Sequence, residues 1–258
     1  MKRTVSLLFL CGIILSHFSS CYNHHRAEEP VPETPTGTVQ IRFTNFAGTD
    51  SLKLNHVYTN SSSENFTPSQ FNYYISNIKL MNAAGTVLWS ESNSYHLIQQ
   101  SDLNSLKFDM SVPVGQYDKV SFMLGVDSLR NVSGAQSGAL DPLKGMFWTW
   151  NSGYIMLKLE ATSPASTLVN NLVEYHVGGF SGTNSVLKTL TFALPSTIYT
   201  TKGSSSEIHF NTDLLQLFTQ PSEISIATMP SVNMPGANAK KLADNYADMF
   251  SLVLVINN

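Results

Sequence analysis

The feature that most constrains this chain is an apolar pattern of period two, set in short runs along most of its length. Val39, Ile41 and Phe43 alternate with Gln40, Arg42 and Thr44. A half-buried strand needs this arrangement, because successive side chains point to opposite faces. Leu52-Lys53-Leu54 continues the habit, and Phe71 to Met81 (FNYYISNIKLM) is a longer candidate. Ala83-Ala84-Gly85 turns that run back into Thr86–Trp89, which predicts a hairpin. Further strands are expected at Tyr95–Ile98, Lys107–Val112, Lys119–Gly125, Tyr154–Leu159, Leu172–Val177, Val186–Leu194, Glu207–Phe210 and Ser251–Ile256. Helical signals are few. Asp213 is placed to cap a short turn over Leu214–Phe218, and Asn238 to cap a helix over Ala239–Met249. The expectation is an all-β chain: an antiparallel β-sandwich-like domain with one or two short helices.

The amino terminus reads as an export signal. Lys2 and Arg3 precede an apolar run from Val5 to Leu15 that is too short for a comfortable membrane span. Ser19 and Ser20 before Cys21 form a relaxed bacterial lipoprotein signal, with a plain secretory peptide cut nearby as the alternative. The expected organisation is a signal peptide at 1–20, lipidation at Cys21, a tether at 21–37 rich in Pro, Glu and Thr, and one domain at 38–258. The membrane is then met through the lipid anchor only, in the cell envelope, as an outer-membrane lipoprotein facing the periplasm or the cell surface.

Loss of residues 1–20 removes two of 15 basic groups and none of 18 acidic ones, so the formal charge moves from −3 to −5. No basic block remains, which argues against nucleic acid as a partner. The only other cysteine, Cys11, leaves with the signal. The folded part has no disulfide, and burial must supply its stability; 258 residues are enough for a sizeable core.

Chemistry concentrates in Gly125–Glu160, GVDSLRNVSGAQSGALDPLKGMFWTWNSGYIMLKLE. A polar loop runs into Met146, Trp148 and Trp150 and then into a strand. Trp148 and Trp150, two apart, share one face of an extended segment. The segment suits either buried packing, a stacking surface or an oxidisable indole. No hydrolase elbow, phosphate loop, dinucleotide fingerprint or zinc-protease motif is present, and an enzymatic activity is not expected. Imidazole suits copper, zinc, iron or nickel, and thioether sulfur favours monovalent copper. Of the histidines in the folded part, His176 is the most distinctive, because Tyr175-His176-Val177-Gly178-Gly179 ends a strand in a glycine turn. Asp127, Asn131, Asp141 and Glu160 offer hard donors for a structural calcium, but they lack EF-hand spacing. Turn and capping duties are the better expectation for the first three.

These segments resemble the MbnP-like family, periplasmic copper-binding partners linked with methanobactin systems. GVDSLRN (Gly125–Asn131), GALDP (Gly138–Pro142) and GMFWTWNSGYIMLKLE (Gly145–Glu160) carry the resemblance. It is supported by FNYYISNIKLMNAAG (Phe71–Gly85), VPVGQY (Val112–Tyr117), YHVGG (Tyr175–Gly179) and ADNYADMF (Ala243–Phe250). The resemblance implies an exported β-rich protein that binds copper. It also implies a dihaem partner related to bacterial cytochrome c peroxidases, which oxidises a tryptophan to kynurenine that helps to bind the metal. Carried over, Trp148 or Trp150 is the modified residue and His176 is the leading ligand, followed by His56, His96 and Met146. A large branch of the family carries four cysteines, and this chain departs from it: the region after the YHVGG piece reads FSGTN. The rival expectation is a non-metal binding or assembly module at the outer membrane. Such a module presents an aromatic surface and works with an outer-membrane receptor.

Overall fold

The computed structural model describes residues 34–134, 136–148 and 153–258. The segment with Cys21 and the residue Trp150 lie outside them. The strands are β1 (Thr36–Ala47), β2 (Asp50–Ser51), β3 (Tyr58–Thr59), β4 (Asn65–Met81), β5 (Val87–Ser90), β6 (Tyr95–Gln99), β7 (Lys107–Pro113), β8 (Gly115–Leu124), β9 (Phe147–Trp148), β10 (Gly153–Thr162), β11 (Leu172–Gly178), β12 (Lys188–Thr200), β13 (Ser205–Asp213), β14 (Ser231–Val232) and β15 (Phe250–Asn257). The helices are α1 (Ser128–Asn131) and α2 (Ala237–Tyr246), with short 3-10 turns between strands. No helix among the described residues is long and apolar enough to cross a membrane.

The chain is all-β and builds a sandwich-like pair of sheets. One runs β15-β13-β1-β2 with β7 also on β1; the other runs β12-β8-β4-β10-β11-β14 with β3, β5, β6 and β9 as side pairings. The alternation at Val39, Ile41 and Phe43 is realised along β1, whose side chains alternate between buried and half-buried. Phe43 then binds the layers together. Its ring stacks on Phe210 at 5.5 Å and meets Tyr73, Phe122 and Phe250 edge-on at 6.0, 6.1 and 6.2 Å. Such offset and edge-on contacts add to the burial of aromatic area itself.

Two strand pairs depart from the antiparallel expectation: β1 with β13 and β11 with β14 run parallel. Parallel neighbours need a long crossover, and every strand of the larger sheet except β14 lies in the chain between β1 and β13. Leu52-Lys53-Leu54 is not a strand; pairing there covers only Asp50–Ser51, and Leu52 is a buried side chain beneath a turn. Asp213 does cap the 3-10 turn Leu214–Phe218, accepting from the Leu215 N–H at 3.0 Å. Helix α2 starts at Ala237 with Gly236, not Asn238, at its N-cap position, and no side chain caps it. Strand β1 begins at Thr36, two residues ahead of the expected domain start.

Strand β4 organises the site. Asn72 pairs with Gln99 of β6 and with Lys158 of β10; Ile75 pairs with His96 of β6 and with Leu124 of β8. A strand has two edges, and β6 fills one. Strands β8 and β10 therefore lie end to end along the other. The chain leaves this edge at Gly125, whose N–H donates to the Tyr74 carbonyl at 3.0 Å, and rejoins it at Leu157 opposite Tyr73. Everything between is an excursion from what is otherwise one continuous strand path. From Phe71 to Ser76, β4 is buried on both faces. Tyr73 points into the aromatic core, while Tyr74 lies under the excursion, its hydroxyl donating to the Ala139 carbonyl at 3.0 Å.

Candidate functional site

The returning end of the excursion forms a short hairpin, with Trp148 opposite Gly153 and Phe147 opposite Tyr154. Trp148 is only 5% exposed. Its ring occupies the space above Gly178 of β11: a Cβ there would stand 2.5 Å from the ring carbon Cζ3 and 2.6 Å from Cη2. Real Cβ atoms do not approach that closely, so this ring position requires glycine at 178. Trp148 and Phe180 wall a pocket of about 400 Å³ floored by Gly153 and Gly179 and closed by Pro235. Sequence reading missed Phe180 and Pro235; the glycine pair at 178–179 was the available signal.

His176 sits two residues before Gly178, on the same side of β11 as the Trp148 ring, about 7 Å along the strand. Asn72, Lys158 and His176 stand directly opposite one another across β4, β10 and β11, and so share that face. Lys158 donates its Nζ to the Gly145 carbonyl at 3.1 Å and pairs with Glu160 Oε1 at 3.1 Å. His176 Nε2 lies 3.0 Å from that same oxygen. Burial opposes ionisation of Glu160, but hydrogen bonds and charge from Lys158 and His176 hold its carboxyl below the usual range. Burial, and then the Lys158 cation, pull the His176 imidazole below its usual value against the opposing pull of Glu160. The ring is therefore neutral at pH 7. With a carboxylate as acceptor, its proton sits on Nε2, and Nδ1 keeps the lone pair.

The other predicted ligands are not brought to His176. His96 pairs with Ile75 on the opposite face of the larger sheet. Its ring stacks on Phe108 at 3.5 Å and its Nε2 lies 2.9 Å from Glu91. His56 is exposed in the turn before β3, edge-on to Tyr58 at 5.1 Å. That turn adjoins the start of β4, about 20 Å along the strand from Asn72. Met146 is fully buried, and its sulfur accepts a 3.9 Å hydrogen bond from Asn72 Nδ2. Asn72 and His176 are two strand spacings apart, about 10 Å, with Lys158 between them. Met146 thus packs beside Asn72 and accepts its hydrogen bond, with Lys158 standing between that pair and His176. Among the described residues no three His, Cys, Asp or Glu side chains converge.

The hard-donor residues hold the excursion in shape. Asp127 caps α1 through the Arg130 N–H at 3.1 Å, and Asp141 caps the turn Pro142–Lys144 through the Leu143 N–H at 2.9 Å. Asn131 donates to the Val126 and Asp127 carbonyls and accepts from the Tyr154 N–H at 2.9 Å. Glu160 is on a separate strand, engaged with Lys158 and His176.

Comparison with known proteins agrees with this architecture. The MbnP family profile matches residues 36–235. A solved structure, MbnP from Methylosinus trichosporium, is similar in fold: TM-score 0.50 at 16% identity, covering 74% of this chain and 80% of that one. No curated protein matches significantly. With the greater part of its length matched, the chain belongs to the MbnP family.

Proposed function

We propose that this is an exported, lipid-anchored copper-binding protein, not itself an enzyme. It works with a dihaem peroxidase-like partner that oxidises a tryptophan to kynurenine. The observation that carries the reading is the Glu160–His176 pair beside Trp148. Metal-ligating histidines commonly donate their second ring N–H to a carboxylate, which fixes the tautomer and aims the other nitrogen at the ion. Glu160 does this for His176, so the residues present fit one imidazole ligand through Nδ1. Oxidative opening of an indole to kynurenine exposes an aryl amine and a ketone, donors that an intact tryptophan lacks. Trp148 is the described tryptophan on the His176 face; Trp150 falls outside the described residues.

The aromatic-surface alternative draws less support, since Trp148 walls a pocket instead of forming an exposed platform. The test is intact mass spectrometry and copper titration of protein co-produced with its dihaem partner. Unmodified tryptophans together with no copper uptake would sink the proposal. Loss of uptake in His176→Ala, with uptake retained in His56→Ala and His96→Ala, is the supporting result.

A further inference from the structure

Three buried or half-buried tyrosines line the face beneath the excursion, and their hydroxyls do not have equivalent partners. Tyr74 donates to the Ala139 carbonyl at 3.0 Å and Tyr154 to the Leu140 carbonyl at 2.7 Å. A peptide carbonyl cannot take a proton away. Tyr95 instead donates a short hydrogen bond to the Asp127 carboxylate. Asp127 is further held by Asn77 Nδ2 at 3.3 Å and the Arg130 N–H at 3.1 Å, and the Arg130 guanidinium lies 5.5 Å over the Tyr95 ring. Burial, and then the Asp127 bond and charge, push the Tyr95 phenol up to about 12, so it is a neutral proton donor at pH 7.

The three tyrosine rings form a connected series, and main chain joins its last member to Trp148. Tyr95 pairs with Ser76 and Leu97 with Tyr74, so Tyr95 and Tyr74 are diagonal neighbours on one face, about 7–8 Å apart. Tyr74 meets Tyr154 edge-on at 5.9 Å. The Tyr154 main chain and the Trp148 ring both border the vacant Cβ position of Gly178. Tyr95 is half-buried at the edge of a surface hollow of about 270 Å³, where an outside molecule can reach it.

We propose that Tyr95 and Asp127 form a proton-coupled electron-transfer site, through which an outside one-electron oxidant of the high-valent haem class draws electrons from Trp148 across the Tyr154 and Tyr74 rings. This rests on the reading of Trp148 as the oxidised residue. In the first step Tyr95 gives one electron to that outside oxidant, which is thereby reduced by one equivalent, and its phenolic proton passes to Asp127. The products are a neutral tyrosyl radical and a carboxylic acid. An oxidised phenol is a far stronger acid than a carboxylic acid, so this transfer is downhill. In the second step Trp148 supplies one electron to Tyr95, Asp127 returns the proton, and Trp148 is left as the radical cation. Tyr74 and Tyr154, with no proton acceptor, pass the electron without resting in the oxidised state.

The test needs neither copper nor the partner. A photogenerated ruthenium(III) polypyridyl oxidant is applied to the purified protein, and radicals are read by freeze-quench electron paramagnetic resonance. The wild-type protein is expected to show a neutral tyrosyl signal that Tyr95→Phe loses. Asp127→Asn, which retains a good helix cap, is expected to slow its appearance, and Trp148→Phe to prolong its life. The same tyrosyl signal in Tyr95→Phe, or unslowed formation in Asp127→Asn, overturns the site; an unchanged lifetime in Trp148→Phe overturns the route. Because partner and metal are absent, each of these failures leaves the copper reading to its own test.

Discussion

The backbone N–H of Tyr154 ends on the side-chain oxygen of Asn131, 2.9 Å away, which ties the strand that closes the excursion to the helix that opens it. Asn131 is buried and also serves the Val126 and Asp127 carbonyls. Asn131→Ala strands these groups away from water, and unmade buried hydrogen bonds cost about 1–3 kcal/mol. Thermal unfolding is expected at a clearly lower temperature than wild type. A melting temperature equal to wild type would show that the tie carries no stability.

Gly178→Ala places a methyl group where the Trp148 ring now lies. The ring must move or the strands must part, an overpacking of about 1–3 kcal/mol. Shifted tryptophan fluorescence together with reduced stability is the expected result. Unchanged emission and stability would contradict the described ring position.

Glu160→Gln removes the carboxylate that orients His176 while keeping a polar group of the same size. Loss of such an orienting partner lowers metal affinity roughly 10–100-fold. Competitive copper titration is expected to show that loss, whereas His96→Ala, on the opposite sheet face, is expected to bind as wild type does. Equal affinities for Glu160→Gln and wild type would remove His176 from the metal site.

A pH dependence follows from the depressed His176. Its ordinary value is 6.5; below that pH the unfolded chain takes up a proton that the folded protein resists. The contribution to stability is therefore present above pH 6.5 and declines as the pH falls towards the lower folded value. His209 shifts in the same direction, through burial, and adds to the slope. Lys158→Met removes the cation beside His176, and the imidazole is expected to titrate at higher pH, with a shallower stability slope. Proton NMR of the ring and urea melts at pH 7.5 and 5.5 check both; a His176 titration that stays put in Lys158→Met rejects the assigned cause.

Much of the fold was readable in the chain because one side chain in two is buried along strands such as β1, and period two records that directly. It failed at Leu52, where the same pattern came from a single buried residue under a turn. It also gave no warning that β1 and β13 run parallel, since neighbour choice between distant strands leaves no local signature. Asp127, Asp141 and Asp213 were legible as caps because capping is a contact within a few residues. The relative placement of the ligand candidates was not legible, for the opposite reason. Residue type marks His56, His96 and Met146 as donors, but the sheet face on which each side chain stands is set by register. His96 and His176 are both strand histidines paired to carboxylates, and only the pairing of Ile75 and Asn72 separates them.

The end-to-end placement of β8 and β10 has a mechanical consequence. Both anchor points of the 125–156 excursion lie beside Tyr73 and Tyr74, so its length can change while the rest of the sheet keeps its register, and closing a longer loop costs little. The scaffold thus works as a socket. The excursion is held at both ends by β4, while Gly178 and His176 stand on the neighbouring strand under the aromatic ring that it carries.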